Sequence, residues 1–497
     1  MSRKILLAQG ITMGKATPVL VGIHHLEQRE ADPAVALEPI RLMIEAVKQA
    51  ALDAGSPELL NANSVRVIKG MWPYQNPAQA VAESIGCAGA ETVMSPFGGN
   101  FVQTTVNQSA LDIQNGVHDI IVITGAECGS TMAKAAKAKI ELDWSDIPGE
   151  PDRRIGEDKD MRHEAERAVR LGRPIAVYPI MEIALRNELG LGVDAHLEKI
   201  SELWASFSRV AADNPNAWIR EAKSAEEIRT PSKVNRPVSF PYPKFMNSND
   251  NVDQAAALIM CSEEKAKALG IARDKWIYPW AGSDAQDHYY LSNRDNFYSS
   301  PAIRLAGNRC LEMAGVEARD LDMVDVYSCF PVAVQVASRE LKLDATKPLT
   351  VTGGLTWAGG PLNNYVMHSI VRMAQLLREK QGQNGLITAN GGYITKHAFG
   401  IYSSEPPAQP YQHADLQQEV DQTFRRDVVI NHSGDGIVEG YSVVYGANGM
   451  EKAFVAARLP DERRAWGVCH DMDVLASMTK EEFCGREVRL ADHVAYF

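Results

Sequence analysis

A chain that repeats its own helix-stop and strand signals at a fixed interval is constrained to fold as two similar halves, and here the interval holds at three landmarks. Residues 39–55 carry apolar side chains at helical spacing and end at Gly55, where a C-terminal stop belongs. Residues 301–315 do the same and end at Gly315. An acidic linker and a β-like run follow each stretch, Ser64–Ile68 in one case and Met323–Tyr327 in the other. Further on, Gly98-Gly99-Asn100 opens a helical stretch that ends at Gly116, and the strand Asp119–Gly125 follows. Its later counterpart opens at Gly359-Gly360-Pro361, runs to Lys380 and precedes the strand Gly385–Gly391. The separations are 260 residues for Gly55 and Gly315, 261 for Gly99 and Gly360, and 266 for Gly125 and Gly391. Any α/β chain alternates helix, glycine and strand; a near-constant offset across three landmarks is hard to obtain by chance.

Alternating strands and helices predict an α/β fold with mostly parallel sheets, which bind ligands near the carboxyl ends of their strands. Both Gly-rich helix starts fall in that place. Residues 128–240 interrupt the pattern with a charged stretch, Glu150 to Arg173, and helical segments such as Leu197–Ala211. Insertions of this length usually cover a site or supply specificity, although the charge clusters themselves read as solvated surface. A core strand pattern resumes at Asn251–Ser262. Ser403–Pro410 reads as a linker. Beyond it come short β-like runs, Val428–Ile430, Gly440–Tyr445, Ala453–Ala457, Arg464–Val468 and Arg486–Leu490, with turn signals at Gly434-Asp435-Gly436 and Asn448-Gly449. The expected domains are an N-terminal half (1–127 and 241–285), an insertion (128–240), a C-terminal half (286–403) and a small β-rich domain (411–497) read as an OB-like barrel.

Composition narrows the function classes. A formal charge of −12 disfavours a nucleic-acid partner, because phosphate binding needs a basic face. Seven scattered cysteines, never spaced Cys-x-x-Cys, argue against a disulfide framework and point to a reducing, cytoplasmic setting. No apolar run reaches the ~20 residues of a bilayer span, and Gly10, Thr12 and Lys15 break up any leader-like stretch at the N-terminus. His, Asp and Glu show no metal-ligand spacing, and no P-loop, Gly-x-Ser-x-Gly elbow or dinucleotide fingerprint is present.

With these features assembled, residues 1–403 resemble the thiolase superfamily. Ser64–Gly125 is similar to its first half and Asp322–Gly400 to its second, while Tyr242–Met246 and Asn251–Ala266 resemble the matching region of sterol-carrier-type thiolases. The segment beyond 411 resembles the added domain of bacterial type 1 thiolase-like proteins, which resemble acetyl-coenzyme A acetyltransferases. The resemblance implies duplicated βαβαβ halves layered α/β/α/β/α and an acyl-coenzyme A thioester as ligand or substrate, with no separate cofactor. It also implies four catalytic elements, and each is changed here. The nucleophilic cysteine at the start of the buried helix falls at Gly98 or Gly99. The histidine of the Gly-His-Pro motif falls at Gly360, the late acid/base cysteine at Ala389, and the residue that helps hold an oxyanion water at Tyr327. Thiolysis through an acyl-cysteine should therefore be absent, since losing a nucleophile costs roughly 10⁶ in rate in well-studied cases.

Three residues are candidates for remaining chemistry. Tyr327 stands where sterol side-chain aldolases of this superfamily also carry a tyrosine, which implies retro-aldol or other non-covalent acyl chemistry; to act as a base, its phenol would need neighbours that lower its pKa. His397 follows the Gly391-Gly392 loop, where the resemblance places the closing wall of the cavity. His368 lies two turns into the helix expected from Gly360. For each, a structural role as a buried, satisfied side chain is the competing reading. Lys244, Ser248 and Asn249 match the region that touches the pantetheine arm. A non-catalytic acyl-coenzyme A or lipid binder is the alternative function, and a monomer is the expected state because an appended domain can block the face thiolases use to dimerise.

Overall fold

The computed structural model describes residues 16–497; the leader-free reading at Gly10, Thr12 and Lys15 lies outside the described residues. Both glycine stops form as the sequence predicts. The Pro39–Ala54 helix ends at Gly55 with φ 73°, whose N–H bonds the Ala51 and Leu52 carbonyls, and the Asn308–Ala314 helix ends at Gly315 with φ 67°. Left-handed backbone at a helix end is where glycine is least strained. The second of these helices departs from expectation at its start, where Ile303–Gly307 forms a π-helical turn.

Two sheets carry the duplication. The first runs, in spatial order, Pro18–Glu27, Asp253–Ser262, Ile120–Cys128, Ser64–Val67, Glu91–Met94 and Arg153–Arg154. Its Ser64–Val67 strand is parallel to both neighbours, whereas Asp253–Ser262 is antiparallel to both of its own. The second sheet runs Met323–Asp325, Asn384–Gly391, Lys396–Ser403, Tyr278–Gln286 and Gln412–Asp415. Read in reverse, its first four strands repeat the order of the first sheet's first four, with the same senses. The last strand, Gln412–Asp415, pairs parallel to Tyr278–Gln286, so the chain returns to this sheet after the 403–410 linker.

Between the sheets lie the Phe101–Gln114 and Tyr365–Glu379 helices, each touching both. Phe101–Gln114 is buried on most of its circumference, and its polar side chains find partners inside the protein. Gln103 accepts from the Tyr402 hydroxyl at 2.8 Å, and Asp112 pairs with the buried Arg66 at 2.6 Å. Pro39–Ala54 covers the outer face of the first sheet, and the helices at 303–314 and 331–341 cover that of the second. The result is the layered α/β/α/β/α arrangement.

Beyond 434 the chain closes a barrel. Gly434–Gly446, Gly449–Arg458, Arg464–Cys469, Val494–Tyr496 and Glu487–Ala491 pair in that spatial order, and the last returns to the first. A helix, Met472–Met478, sits between the third and fourth strands of the chain. Five strands in the order 1-2-3-5-4-1 with a helix after the third is the OB-type Greek-key barrel. The hairpin at Asn448-Gly449 forms. Gly434-Asp435-Gly436, expected as a turn, instead pairs as strand with Leu490–Val488, because barrel closure needs its backbone there. Val428–Ile430, expected as a strand, makes only an isolated bridge to Arg464. The insertion contributes Pro237–Phe240 to the same barrel sheet, beside Gly434–Gly446. No helix among the described residues is long and apolar enough to cross a membrane.

Candidate functional site

The start of the Phe101–Gln114 helix points at the second sheet, and its two glycines have no room for side chains. A Cβ on Gly99 would lie 2.7 Å from the Tyr327 hydroxyl and 2.6 Å from the Asn390 carbonyl oxygen. On Gly98 it would lie 2.8 Å from Lys396 Nζ and 2.7 Å from Asn100 Oδ1. The same holds at the other altered motif: a Cβ on Gly360 would collide with Ser248 Oγ and lie 3.2 Å from the Asn249 carbonyl. The space once available to nucleophile and histidine is thus occupied by other side chains.

Tyr327 reaches this place because it follows a strand whose odd residues face the buried helices. Asp325, two residues earlier, accepts hydrogen bonds from Ser369, Thr350 and the Val351 N–H on that inner face. The Tyr327 N–H donates to Thr388 Oγ1 at 2.9 Å, and its ring meets Tyr365 edge-on at 5.5 Å. Burial, with Cys329 nearby, pushes the phenol's pKa upward. The expected route to a tyrosine base needed the opposite shift, so Tyr327 here is a neutral phenol suited to donating a hydrogen bond.

Strand alternation separates two neighbours that the sequence placed together. Lys396 faces inward: its Nζ donates to the Phe97 carbonyl at 2.7 Å and lies 5.2 Å from the centre of the Phe101 ring. His397 faces the outer helices instead, with Nε2 3.6 Å from Asp287. Burial disfavours the Asp287 charge, but His397, Arg294 and Ser300 outweigh it and hold the carboxyl below its usual range. A small cavity between the sheet and the Pro331–Leu341 helix is lined by His397, Asn390, Ala389, Ala333 and one side of the Tyr327 ring. His397 therefore shares a wall with Tyr327 without facing Gly99.

His368 lies elsewhere. A 3-10 turn at Leu362–Asn364 delays the helix to Tyr365, so His368 sits in its first turn, not its second. It packs edge-on against His25 at 4.1 Å, and its Nε2 lies 3.1 Å from Asn364 Nδ2. Burial lowers its pKa to about 3, so it is neutral. Ser248 and Asn249 pack under the Gly359-Gly360 loop, where Asn249 takes the Gly360 N–H at 2.8 Å and gives its own to Leu355 at 3.1 Å. Lys244 is exposed at the start of the preceding turn.

Residues 415–493 match the family described as the thiolase-like protein type 1 additional C-terminal domain. A monomeric SCP2-thiolase like protein type 1 from Mycobacterium smegmatis superposes with a TM-score of 0.80 at 29% identity, covering 96% of this chain and 98% of that one. This chain is a thiolase-like protein. Among curated relatives, an acetyl-CoA acetyltransferase of Methanocaldococcus jannaschii is 25% identical over 316 residues, 59% of this chain and 73% of its own length. An Ltp2-ChsH2(DUF35) aldolase shares the fold with a TM-score of 0.61 at 17% identity, over 79% of this chain and 99% of its own.

In this thiolase-like protein the charged stretch 150–173 is a cover over the site as well as solvated surface. Arg153–Arg154 extends the first sheet beside Val93–Met94. Asp158 then bonds Lys69 Nζ at 2.7 Å and the Phe97 N–H at 2.8 Å, Met161 lies against Gly392, and the Gly172 carbonyl accepts from Tyr393. Sequence reasoning missed this strap because its charges carry no periodicity. It missed Lys396 as well, although the alternation Lys396, Ala398, Gly400 against the buried helix was a readable signal.

Proposed function

We propose that this protein binds acyl-coenzyme A thioesters without forming an acyl-cysteine. The observation that carries this is the Gly99 position, where the Tyr327 hydroxyl stands 2.7 Å from any Cβ and no nucleophile fits. A protonated Tyr327 beside the helix start is suited to hold a thioester carbonyl oxygen by donation. Ser248 and Asn249, next to the Gly360 loop, would contact the pantetheine arm, and exposed Lys244 would meet its phosphates. The seven unpaired cysteines fit a cytoplasmic setting, and the monomeric state of the Mycobacterium smegmatis relative supports a monomer.

Titration with coenzyme A and short acyl-coenzyme A esters tests the proposal, alongside mass spectrometry of the protein and a thiolysis assay on acetoacetyl-coenzyme A. Binding with unmodified protein and no thiolysis is expected. An acylated protein or coenzyme A-dependent cleavage would overturn it.

A second reading is non-covalent catalysis, acyl transfer or retro-aldol cleavage. The inward-facing pair Tyr327 and Lys396 favours it, because burial lowers the Lys396 pKa against the pull of Asp158 and so eases release of a proton. Cleavage of a β-hydroxyacyl thioester that Tyr327→Phe abolishes would select this reading.

A further inference from the structure

At the start of the buried helix a charged amine is left with little to bind. Lys396 is 5% exposed, and an ammonium has three N–H donors to place. Among the described residues its one hydrogen-bond acceptor is the Phe97 carbonyl. Asp158, the carboxylate that acts on it, is already held by Lys69 Nζ and the Phe97 N–H. A buried ammonium facing one neutral acceptor is costly unless an anion joins it.

The surroundings add donors and no further carboxylate contact. The Tyr327 hydroxyl reaches the Gly99 position, and the 14-residue Phe101–Gln114 helix turns its positive end the same way. Asn100, 4% exposed, aims an unpartnered side-chain oxygen at the space beside Gly98. Rotating that amide would present its N–H₂ to the same point.

We propose that Lys396, Tyr327, Asn100 and the helix start form an oxyanion pocket that selects acyl thioesters whose acyl group carries an anionic oxygen, either a carboxylate or the enolate of a β-keto group. This rests on the thioester-binding reading above and names the class of acyl group that the site takes. Phe97, which is 40% exposed, and the 158–161 part of the strap mark the side from which such a group reaches Lys396.

The experiment is calorimetric titration of the full-length protein with coenzyme A, butyryl-, malonyl- and acetoacetyl-coenzyme A, repeated for Lys396→Met and Tyr327→Phe. Malonyl or acetoacetyl ester is expected to bind about tenfold more tightly than butyryl, in line with a charge-assisted hydrogen bond. Lys396→Met should bring the anionic esters down to the butyryl level. Tyr327→Phe, which keeps the ring and removes one donor, should narrow the gap part-way, so the test does not hang on one variant folding. A near-ultraviolet enolate band with acetoacetyl ester identifies the enolate, and a malonyl preference without it identifies the carboxylate. Equal affinity for butyryl and the anionic esters, or a preference that survives Lys396→Met, overturns the inference and leaves thioester binding standing. Failure of coenzyme A and every ester to bind overturns the thioester reading itself.

Discussion

At position 99 a new side chain would begin within 2.7 Å of two fixed groups, the Tyr327 hydroxyl and the Asn390 backbone. Gly99→Cys should therefore act as overpacking and lower stability by roughly 1–3 kcal/mol, seen as a shifted urea midpoint, without creating thiolysis. Tyr327→Ala added to it should recover part of the loss, and strict additivity would refute the contact. A second residue sets a pH dependence. Burial raises the Glu127 pKa to about 8, with Asp250 adding to it and the Met71 N–H opposing. The folded state then holds a proton that the unfolded chain releases near pH 4.5. Stability should fall as pH rises from 4.5 through 8, by a few kcal/mol. Denaturant melts of Glu127→Gln should show a flatter profile and higher stability at pH 9; an unchanged slope would refute the assignment. Residue by residue, the sequence told which catalytic groups were missing, because Gly99, Gly360 and Ala389 are absences in a motif. It did not tell what replaced them. Lys396 and His397 are adjacent in sequence, and only the strand's register decides which one faces the buried helix.

The elements themselves were largely legible. Glycine stops at 55 and 315 and alternating apolar runs are local signals, so the helices and strands they bound formed as expected. Signals that depend on a partner were not: Gly434-Asp435-Gly436 becomes strand because Leu490 lies opposite, and the 150–173 strap is held by contacts far along the chain. The joint between the barrel and the second half is of this kind. Fully buried Arg464 donates to the carbonyls of Ser292 at 2.9 Å and Arg294 at 2.6 Å and pairs with Glu439 at 2.7 Å. Arg464→Ala leaves these acceptors unpaired and should cost about 3–5 kcal/mol. Limited proteolysis should then cut the 403–411 linker faster than in the wild type; an unchanged cleavage rate would show that the joint does not depend on this side chain.

Across the whole molecule, the barrel and the insertion are built into each other. Phe240 and Ser239 pair with Val443 and Val444, and the buried Arg186 of the Pro174–Glu188 helix bonds the Tyr441 hydroxyl at 3.0 Å. Removing 411–497 should strip this face and leave a poorly soluble, lower-melting remainder, measured by calorimetry and light scattering. The intact protein should elute as a single 54.5 kDa species. These long-range pairings also order events during synthesis. The first sheet's five leading strands emerge from the ribosome before residue 155 and take their sixth neighbour by residue 262, so that half can assemble early. The insertion cannot. Its edge strand at 237–240 must wait for some two hundred further residues, until 443–444 has been translated. Throughout that interval it presents an unpaired edge, the kind of surface that chaperones recognise and that misassembles when translation stalls.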